Sequence, residues 1–257
     1  MGRLLRLGGV ALAAGGMVLA GQSGALAFSS GSVGYDISYV QCGQPYPSGA
    51  FGIVGVDTGW PFISSLHPGN PCLASEFAHQ VGSGLYVNTG YDPTYTDANH
   101  TTANCASQSA SVFGTSAQKS AWAAGCSEAE KDLDYVASQG ITDPSGWWLD
   151  VETENSWCGQ PGTNCSDLTL NQYAIQGLVD RLAAASTAPI GIYSTRAQWS
   201  NIVGGGVVTG LTADWLATSA RSAKRAAAYC SSTYGFSGDR VALVQYLTSS
   251  VDRDLAC

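Results

Sequence analysis

Short apolar runs of strand length alternate along the chain with segments that have helical spacing. The runs are bounded by glycine, proline and polar residues, which is typical of buried strands. Predicted strands cover residues 35–40, 51–56, 85–88, 147–151, 190–193, 214–217, 241–246 and 251–255. Apolar spacing and capping residues predict helices over residues 73–81, 127–139, 169–185, 196–203 and 221–229. For the second of these, Ser-Glu-Ala-Glu at 127–130 is interpreted as the capped start.

Buried strands that alternate with helices predict an α/β fold with a parallel sheet. Eight strands in about 230 residues favour a single (β/α)8 barrel of the TIM type, with disulfide-stapled loops. A doubly wound open sheet is the alternative, but no Gly-x-Gly-x-x-Gly follows the first strand, so a nucleotide-binding version has no support. Residues 90–124 are polar and are predicted to form a long loop after the third strand.

The first 27 residues have the pattern of a secretory signal peptide. Arg3 and Arg6 precede a small apolar stretch, and Ala25-Leu26-Ala27 is a small-x-small cleavage site. The apolar stretch is too short and too rich in glycine for a membrane span. We therefore expect a signal peptide over 1–27, a barrel domain over 28–257, and a secreted, extracellular protein that does not contact the membrane after cleavage.

The chain is acidic, with 11 Lys and Arg against 19 Asp and Glu and a net charge of −8. Removing the predicted signal peptide takes away Arg3 and Arg6, which leaves 9 basic side chains and a net charge of −10. An acidic chain with no basic block is not suited to bind nucleic acid. We expect a monomer that has no nucleic-acid partner and no cofactor.

Eight cysteines predict four disulfides, because the number is even and the chain carries an export signal. They are Cys42, Cys72, Cys105, Cys126, Cys158, Cys165, Cys230 and Cys257. The alternative, a metal site, needs a tight Cys-x-x-Cys or Cys/His cluster, and the three histidines His67, His79 and His100 are scattered. Spacing suggests that sequence neighbours pair, although eight cysteines allow about 105 pairings. No metal site is expected.

Two carboxylates end the apolar run Trp147-Trp148-Leu149-Asp150-Val151-Glu152. Side chains at i and i+2 of a strand point the same way, so Asp150 and Glu152 are expected to share one face, whereas Trp147 and Trp148 point to opposite faces. Two neighbouring carboxyls in a partly desolvated site push their pKa values apart. Glycoside hydrolysis needs this division between a proton donor and a charged group. A buried strand seldom ends in two such groups without a function, because charge burial is costly.

Polar and aromatic residues also mark the other strand ends, where catalytic groups of a barrel lie. The candidate substrate-binding residues are Asp36, Asp57, Asn88, Tyr193, Trp215, Gln245 and Asp254. Acidic, amide and aromatic groups together suit a sugar site. Structural alternatives remain open: Asp57 and Asn88 as turn residues, and Gln245 as the partner of a buried backbone group. For Asp252 or Asp254, the alternative is an ion pair with Arg240 or Arg253.

Taken in order, these pieces resemble the glycoside hydrolase family 25 lysozymes, the N,O-diacetylmuramidases. They resemble more closely a group of secreted actinobacterial proteins with a barrel similar to that family. The matching pieces are Tyr35-Asp36-Ile37-Ser38 with Gln41, Trp148-Leu149-Asp150-Val151-Glu152, Gly191-Ile192-Tyr193-Ser194 with Trp199, Trp215-Leu216-Ala217, Val244-Gln245-Tyr246, and Asp254. The resemblance covers most of the chain that follows the predicted signal peptide.

The resemblance implies roles for individual residues. Glu152 would be the general acid that protonates the leaving oxygen. Asp150 would modulate it and stabilise positive charge at the anomeric carbon, or assist through the substrate's N-acetyl group. Asp36 and Asp254 would line the site and hold substrate or water, with Asp252 as a rival for the role of Asp254.

The sequence therefore predicts a secreted glycoside hydrolase that cleaves peptidoglycan or a related amino-sugar polymer by carboxylate acid/base catalysis. One alternative is a catalytically inactive barrel that binds cell-wall glycan or a protein partner. Another is a secreted barrel with no role in carbohydrate chemistry. No Gly-x-Ser-x-Gly motif is present to support a serine nucleophile.

Overall fold

The computed structural model describes residues 28–80, 82–248 and 251–257. The predicted signal peptide lies outside the described residues. The strands are β1 (Val33–Ile37), β2 (Gly52–Gly55), β3 (Gly84–Asn88), β4 (Trp147–Asp150), β5 (Ile190–Ser194), β6 (Ala213–Ala217), β7 (Val241–Tyr246) and β8 (Arg253–Ala256). The α-helices are α1 (Leu73–His79), α2 (Ala103–Gln108), α3 (Ser116–Ser138), α4 (Leu168–Ala185), α5 (Arg196–Val203) and α6 (Ala223–Ala226).

The eight strands form a closed barrel in chain order, which excludes the open-sheet alternative. Strands β1 to β7 are parallel, but β8 runs antiparallel to both β7 and β1. The expectation of a uniform (β/α)8 barrel is therefore wrong at its last strand. Six residues, 247–252, separate β7 from β8. A parallel crossover needs about ten or more, so this link permits only a reversal.

The connection between β1 and β2 also departs from the uniform pattern. It contains a 3-10 turn, Tyr39–Gln41, and no α-helix. Elsewhere one or two helices separate consecutive parallel strands, with the longest helices, α3 and α4, flanking β4. The fold is thus an α/β barrel with mixed strand direction and an uneven helical layer.

Two apolar layers separate the inside of the barrel from the packing beneath the helices. Ile53, Trp148, Trp215 and Leu243 belong to the inner cluster, whereas Trp147 belongs to the cluster under the helices. The opposite orientation of the two tryptophans is therefore confirmed. Space for the inner indole comes from β5, where a Cβ at Gly191 would lie only 2.3 Å from the Trp148 ring. This inner aromatic layer fills the barrel, and the positions that follow it on β4 and β7 are polar.

Residues 90–124 are not the single long loop that we expected. They contain α2 and the first nine residues of α3. Helix α3 begins at Ser116, after the N-cap residue Thr115. The Thr115 hydroxyl accepts a hydrogen bond from the Gln118 amide at 3.2 Å, and the Gln118 side chain accepts one from the Thr115 amide at 2.9 Å. This capping box precedes an alanine-rich run, so the sequence does carry a start signal twelve residues before the predicted one at Ser127.

Four disulfides join Cys42 to Cys72, Cys105 to Cys126, Cys158 to Cys165, and Cys230 to Cys257. These are the sequence-neighbour pairs that the spacing predicts. The first ties the β1–β2 connection to the start of α1, and the last holds the residue after β8. In the ranges that the structure describes, no helix has the length and apolarity to cross a membrane.

Candidate active site

Five of the predicted site residues form hydrogen-bonded contacts inside the barrel. The Tyr193 hydroxyl donates to Gln245 Oε1 at 2.8 Å, and Gln245 Nε2 donates to Asp36 Oδ2 at 3.1 Å. Trp215 Nε1 donates to Asp254 Oδ1 at 2.7 Å. The antiparallel β8 places Asp254 opposite Gln245 on one side and Gly34 on the other. The reversal of the last strand therefore brings Asp254 beside Asp36.

Asp36 and Asp254 form a coupled acidic pair. Burial raises the pKa of Asp36 to about 6, and hydrogen bonds from Gln245 and Asp254 act in the opposite direction. Burial, followed by the charge of Asp36, raises the pKa of Asp254 well above its ordinary value. Asp254 thus favours the protonated form more strongly than Asp36 does. Among the described residues, the Gln245 side chain bonds Tyr193 and Asp36 rather than a backbone group, and Asp254 bonds Trp215 rather than an arginine.

Asp150 is the more deeply buried member of the central pair. In the sheet it lies opposite Asn88 of β3 and Tyr193 of β5. Only 8% of Asp150 is exposed, and its Oδ1 has no hydrogen-bond partner among the described residues. Burial first, and then the charge of Glu152, raise the pKa of Asp150 well above its ordinary value. Its carboxyl group therefore favours the protonated form more strongly than an exposed aspartate does.

Glu152 lies just beyond β4 and is partly exposed. Burial, followed by the charge of Glu154, raises its pKa, while Gln198 opposes that rise. Glu154 is exposed and accepts a hydrogen bond from Gln198 Nε2 at 3.1 Å. Among the described residues, the ion pairs are His100–Asp97 and Arg181–Glu130, so neither Asp150 nor Glu152 is neutralised by a cation. The pair consequently competes for protons, and Glu152 is the member that a ligand can reach.

Asp57 acts as a turn residue and also fixes Asn88. Its Oδ1 accepts from the Gly59 amide at 2.8 Å and from Asn88 Nδ2 at 2.7 Å. Its Oδ2 accepts from the Asn88 amide at 2.8 Å. Burial raises the pKa of Asp57 to about 6 despite these bonds. Both carboxyl oxygens are thus engaged with the protein, so Asp57 joins the loop after β2 to the end of β3.

A polar cavity of 330 Å³ opens beside Asp36. Its wall includes Ser38, Gln41, Tyr86 and Asp252. Asp252 therefore lines the cavity, whereas Asp254 lies in the hydrogen-bonded interior. The two residues considered for the closing aspartate thus occupy different places. A different cavity, of 350 Å³, lies in the outer helical layer next to α3 and α4. The carboxylate in its wall, Asp180, already accepts from the Trp122 indole at 2.7 Å.

Tyr86 is a site residue that the sequence reasoning missed. It packs beside the inner aromatic cluster, and its ring leaves no room for a Cβ at Gly55, which would lie 2.7 Å away. Burial, then the charge of Asp36, raise the pKa of its phenol well above the ordinary value. The available signal was its position two residues before Asn88, which places both on the same face of β3. Within the described residues, no cluster of three or more His, Cys, Asp or Glu has the arrangement of a metal site.

No family model matches this chain, and no curated protein matches its sequence. The solved structures with similar backbones include two bacterial proteins and one from a bacteriophage. The bacterial lysozyme from Streptomyces coelicolor has 17% identity and a TM-score of 0.48, with 89% of this chain and 93% of that chain covered. The modular autolysin LytC from Streptococcus pneumoniae, in complex with a synthetic peptidoglycan ligand, has 12% identity and a TM-score of 0.49. The match covers 87% of this chain and 46% of that chain. The catalytic domain of endolysin ply40 from the Listeria monocytogenes bacteriophage P40 has 13% identity and a TM-score of 0.48. The match covers 88% of this chain and 92% of that chain. At these values the likeness assigns no activity to this chain.

Proposed function

We propose that this protein is a secreted glycoside hydrolase that cleaves peptidoglycan or a related amino-sugar polymer. The observation that carries the proposal is the pair Asp150 and Glu152, two coupled carboxyls at the carboxyl-terminal end of a barrel strand that have no cationic partner among the described residues. The charge of Asp36 acts on Asp150, and Asp36 both pairs with Asp254 and lines a polar cavity. Carboxyl groups without a cationic partner are costly to bury, so the presence of several of them in one site favours a catalytic role over a structural one.

Glu152 is the proposed general acid. Its raised pKa retains the proton closer to neutral pH than an exposed glutamate does, and its partial exposure lets it reach a glycosidic oxygen. The proton moves to the leaving oxygen as the bond to the anomeric carbon breaks. The sugar that remains acquires positive charge at that carbon. Water then supplies the new hydroxyl group, and its proton restores the acid.

Asp150 is the proposed charge-stabilising group. Burial and the charge of Glu152 raise its pKa in the free protein, whereas positive charge at an adjacent anomeric carbon favours its ionised form, with any proton it held released to water. In that form it stabilises the cationic sugar directly, or it orients the N-acetyl group so that the carbonyl oxygen attacks the anomeric carbon. Asp36, held by Gln245, and Asp254, whose pKa is also raised, are proposed to bind substrate hydroxyls or the attacking water.

The proposed location is extracellular. Four disulfides suit an oxidising compartment, and the first 27 residues have the pattern of an export signal. Peptidoglycan is accessible to a secreted bacterial protein, which makes it the first substrate to test.

Digestion of purified bacterial cell walls tests the proposal. We expect soluble fragments with new reducing ends, each cut adding the mass of one water, and no such fragments with Glu152→Gln. Absence of fragments from cell walls and from other amino-sugar polymers, with a folded protein, would contradict hydrolysis. Pull-down of the same walls without fragment release would instead identify a glycan-binding barrel.

A further inference from the structure

We propose that Trp60, supported by Tyr39, forms an aromatic subsite that binds a pyranose ring of the polymer away from the bond that is cleaved. This inference rests on the proposed function and specifies how the site selects long chains. Trp60 lies on the loop after β2, and Tyr39 lies on the 3-10 turn after β1. Their side chains are 57% and 39% exposed, so both offer aromatic surface to a ligand.

The loop that carries Trp60 is held firmly at its base. Asp57 pairs with Gly69 in an isolated antiparallel bridge, and the Thr58 hydroxyl donates to the Pro68 carbonyl at 2.9 Å. The Asp57 carboxylate accepts from the Gly59 amide and receives a further backbone hydrogen bond from Trp60. Trp60 is therefore fixed by the same carboxylate that orients Asn88 at the end of β3.

Phe62 provides an inner anchor at a conformational cost. Its φ is 62°, in the left-handed region that residues other than glycine rarely adopt. Its ring is buried, and the ring centroids of Tyr95 and His100 lie 5.1 and 5.0 Å away. Backbone strain of this kind is concentrated at ligand-binding sites and is retained where the surroundings impose it. Here the buried Phe62 holds the loop in a shape that leaves Trp60 at the surface.

The indole of Trp60 is also oriented in advance. It stacks on His67 with a centroid distance of 4.8 Å and an interplanar angle of 28°. Tyr39 lies against the neighbouring Gly59, where an added Cβ would be 3.7 Å from its ring and hydroxyl. A rigid aromatic group loses little entropy when a ligand packs on it. The C–H faces of pyranose rings are the apolar surfaces that such groups bind.

The aromatic pair is joined through the chain to the cavity beside Asp36. Val40 and Gln41, which follow Tyr39, belong to the wall of that 330 Å³ cavity. Trp60 follows the loop base at Asp57, whose charge contributes to the raised pKa of Asp150. The proposal therefore places one ring of a long glycan on Trp60 and Tyr39 while another ring occupies the cavity. Binding energy from such a remote ring supports catalysis on long substrates.

Three variants test the subsite: Trp60→Ala, the conservative Trp60→Tyr, and Phe113→Ala as a control. Phe113 is 93% exposed and borders the outer cavity next to α3 and α4, so it is an exposed aromatic residue away from the proposed subsite. Binding of N-acetylglucosamine oligomers of about two to six rings is measured by calorimetry in a Glu152→Gln background. Cell-wall kinetics are measured with Glu152 present, and thermal melting checks that each variant is folded.

We expect Trp60→Ala to weaken binding of the longest oligomers about 10-fold and to leave the shortest unchanged. On cell walls it should raise KM by a similar factor with kcat nearly constant, and Trp60→Tyr should retain most of the affinity. Equal loss for all oligomer lengths, an equal effect of Phe113→Ala, no effect of Trp60→Ala, or no binding of any oligomer would overturn the subsite. The proposed function fails separately, if Glu152→Gln retains full turnover.

Discussion

Two sets of buried carboxyls lie on opposite sides of the barrel wall. The inner set consists of Asp36, Asp150 and Asp254, and the outer set consists of Glu128 and Asp132 on α3. Burial is the largest cause of the raised pKa values in both sets. The inner set adjoins a cavity and the partly exposed Glu152. The outer set is 0% and 2% exposed, and both carboxyl oxygens of Glu128 lack a hydrogen-bond partner among the described residues.

The difference shows that a strongly raised pKa indicates burial of the carboxyl. Whether its proton can take part in catalysis depends on whether a ligand can reach the group. Asp57 makes this point clearly because its charge raises the pKa of Asp150 in the inner set and of Glu128 and Asp132 in the outer set. Electrostatics alone therefore does not separate the two sets. Asp36 of the inner set lines the cavity and Asp150 lies next to the partly exposed Glu152, whereas Glu128 and Asp132 are at most 2% exposed.

The sharpest test replaces one glutamate from each side. Glu152→Gln removes the proposed proton donor, and we expect kcat on cell walls to fall about 10³-fold with thermal stability little changed. Glu128→Gln replaces a buried carboxyl, whose pKa is raised well above its ordinary value, by a neutral group of the same shape, so activity should remain within about 3-fold. Turnover is followed by the release of reducing ends. A large loss of activity in a well-folded Glu128→Gln protein would break the distinction between the two sets.

A smaller effect is expected at Asp36. Asp36→Asn removes the carboxylate that accepts from Gln245 and that lies beside Asp254, and kcat/KM should fall about 10-fold to 100-fold. Because the pKa of Asp36 is about 6, wild-type activity should decline as pH drops below about 6, and the variant should lose this acidic limb. Asp132→Asn is the matched control from the outer set, and its pH profile should keep the wild-type shape.

The positions of the strands could be predicted from the sequence because each is a compact apolar run that must be buried. The predicted bounds of β5 and β7, for example, agree with the structure to within one residue. The direction of β8 could also have been predicted, because its link to β7 is too short for a crossover. The alternation of strands and helices along the chain instead favoured a parallel last strand, which is wrong. Strand periodicity predicted that Asp150 and Glu152 share a face; in the structure β4 ends at Asp150, and the charge of Glu152 acts on that carboxyl. Contacts between distant strands, such as Tyr193 with Gln245, depend on barrel closure and have no local signal.

The outer set was missed for a related reason. Glu128 was interpreted as part of a helix start, within a charged stretch that has the composition of a solvated helix face. In the structure α3 begins at Ser116, so Glu128 lies in the middle of the helix and faces inward. Helical spacing places Glu128 and Asp132 on one face but does not say which face is covered. That outcome depends on how α3 packs on the barrel.

The pH dependence of stability gives the last comparison. Glu128 has an ordinary pKa of about 4 when unfolded and a much higher pKa when folded, so the native state binds one more proton between these values. Stability should therefore be greatest at low pH and fall as pH rises, by about 1.4 kcal/mol per pH unit for a carboxyl that stays neutral. Glu128→Gln removes this contribution, so its melting temperature should fall less steeply than that of the wild type between about pH 5 and 8. If the melting temperatures of the two proteins instead changed equally with pH, Glu128 would be ionised in the folded state. The outer set would then differ from the inner set in charge as well as in access.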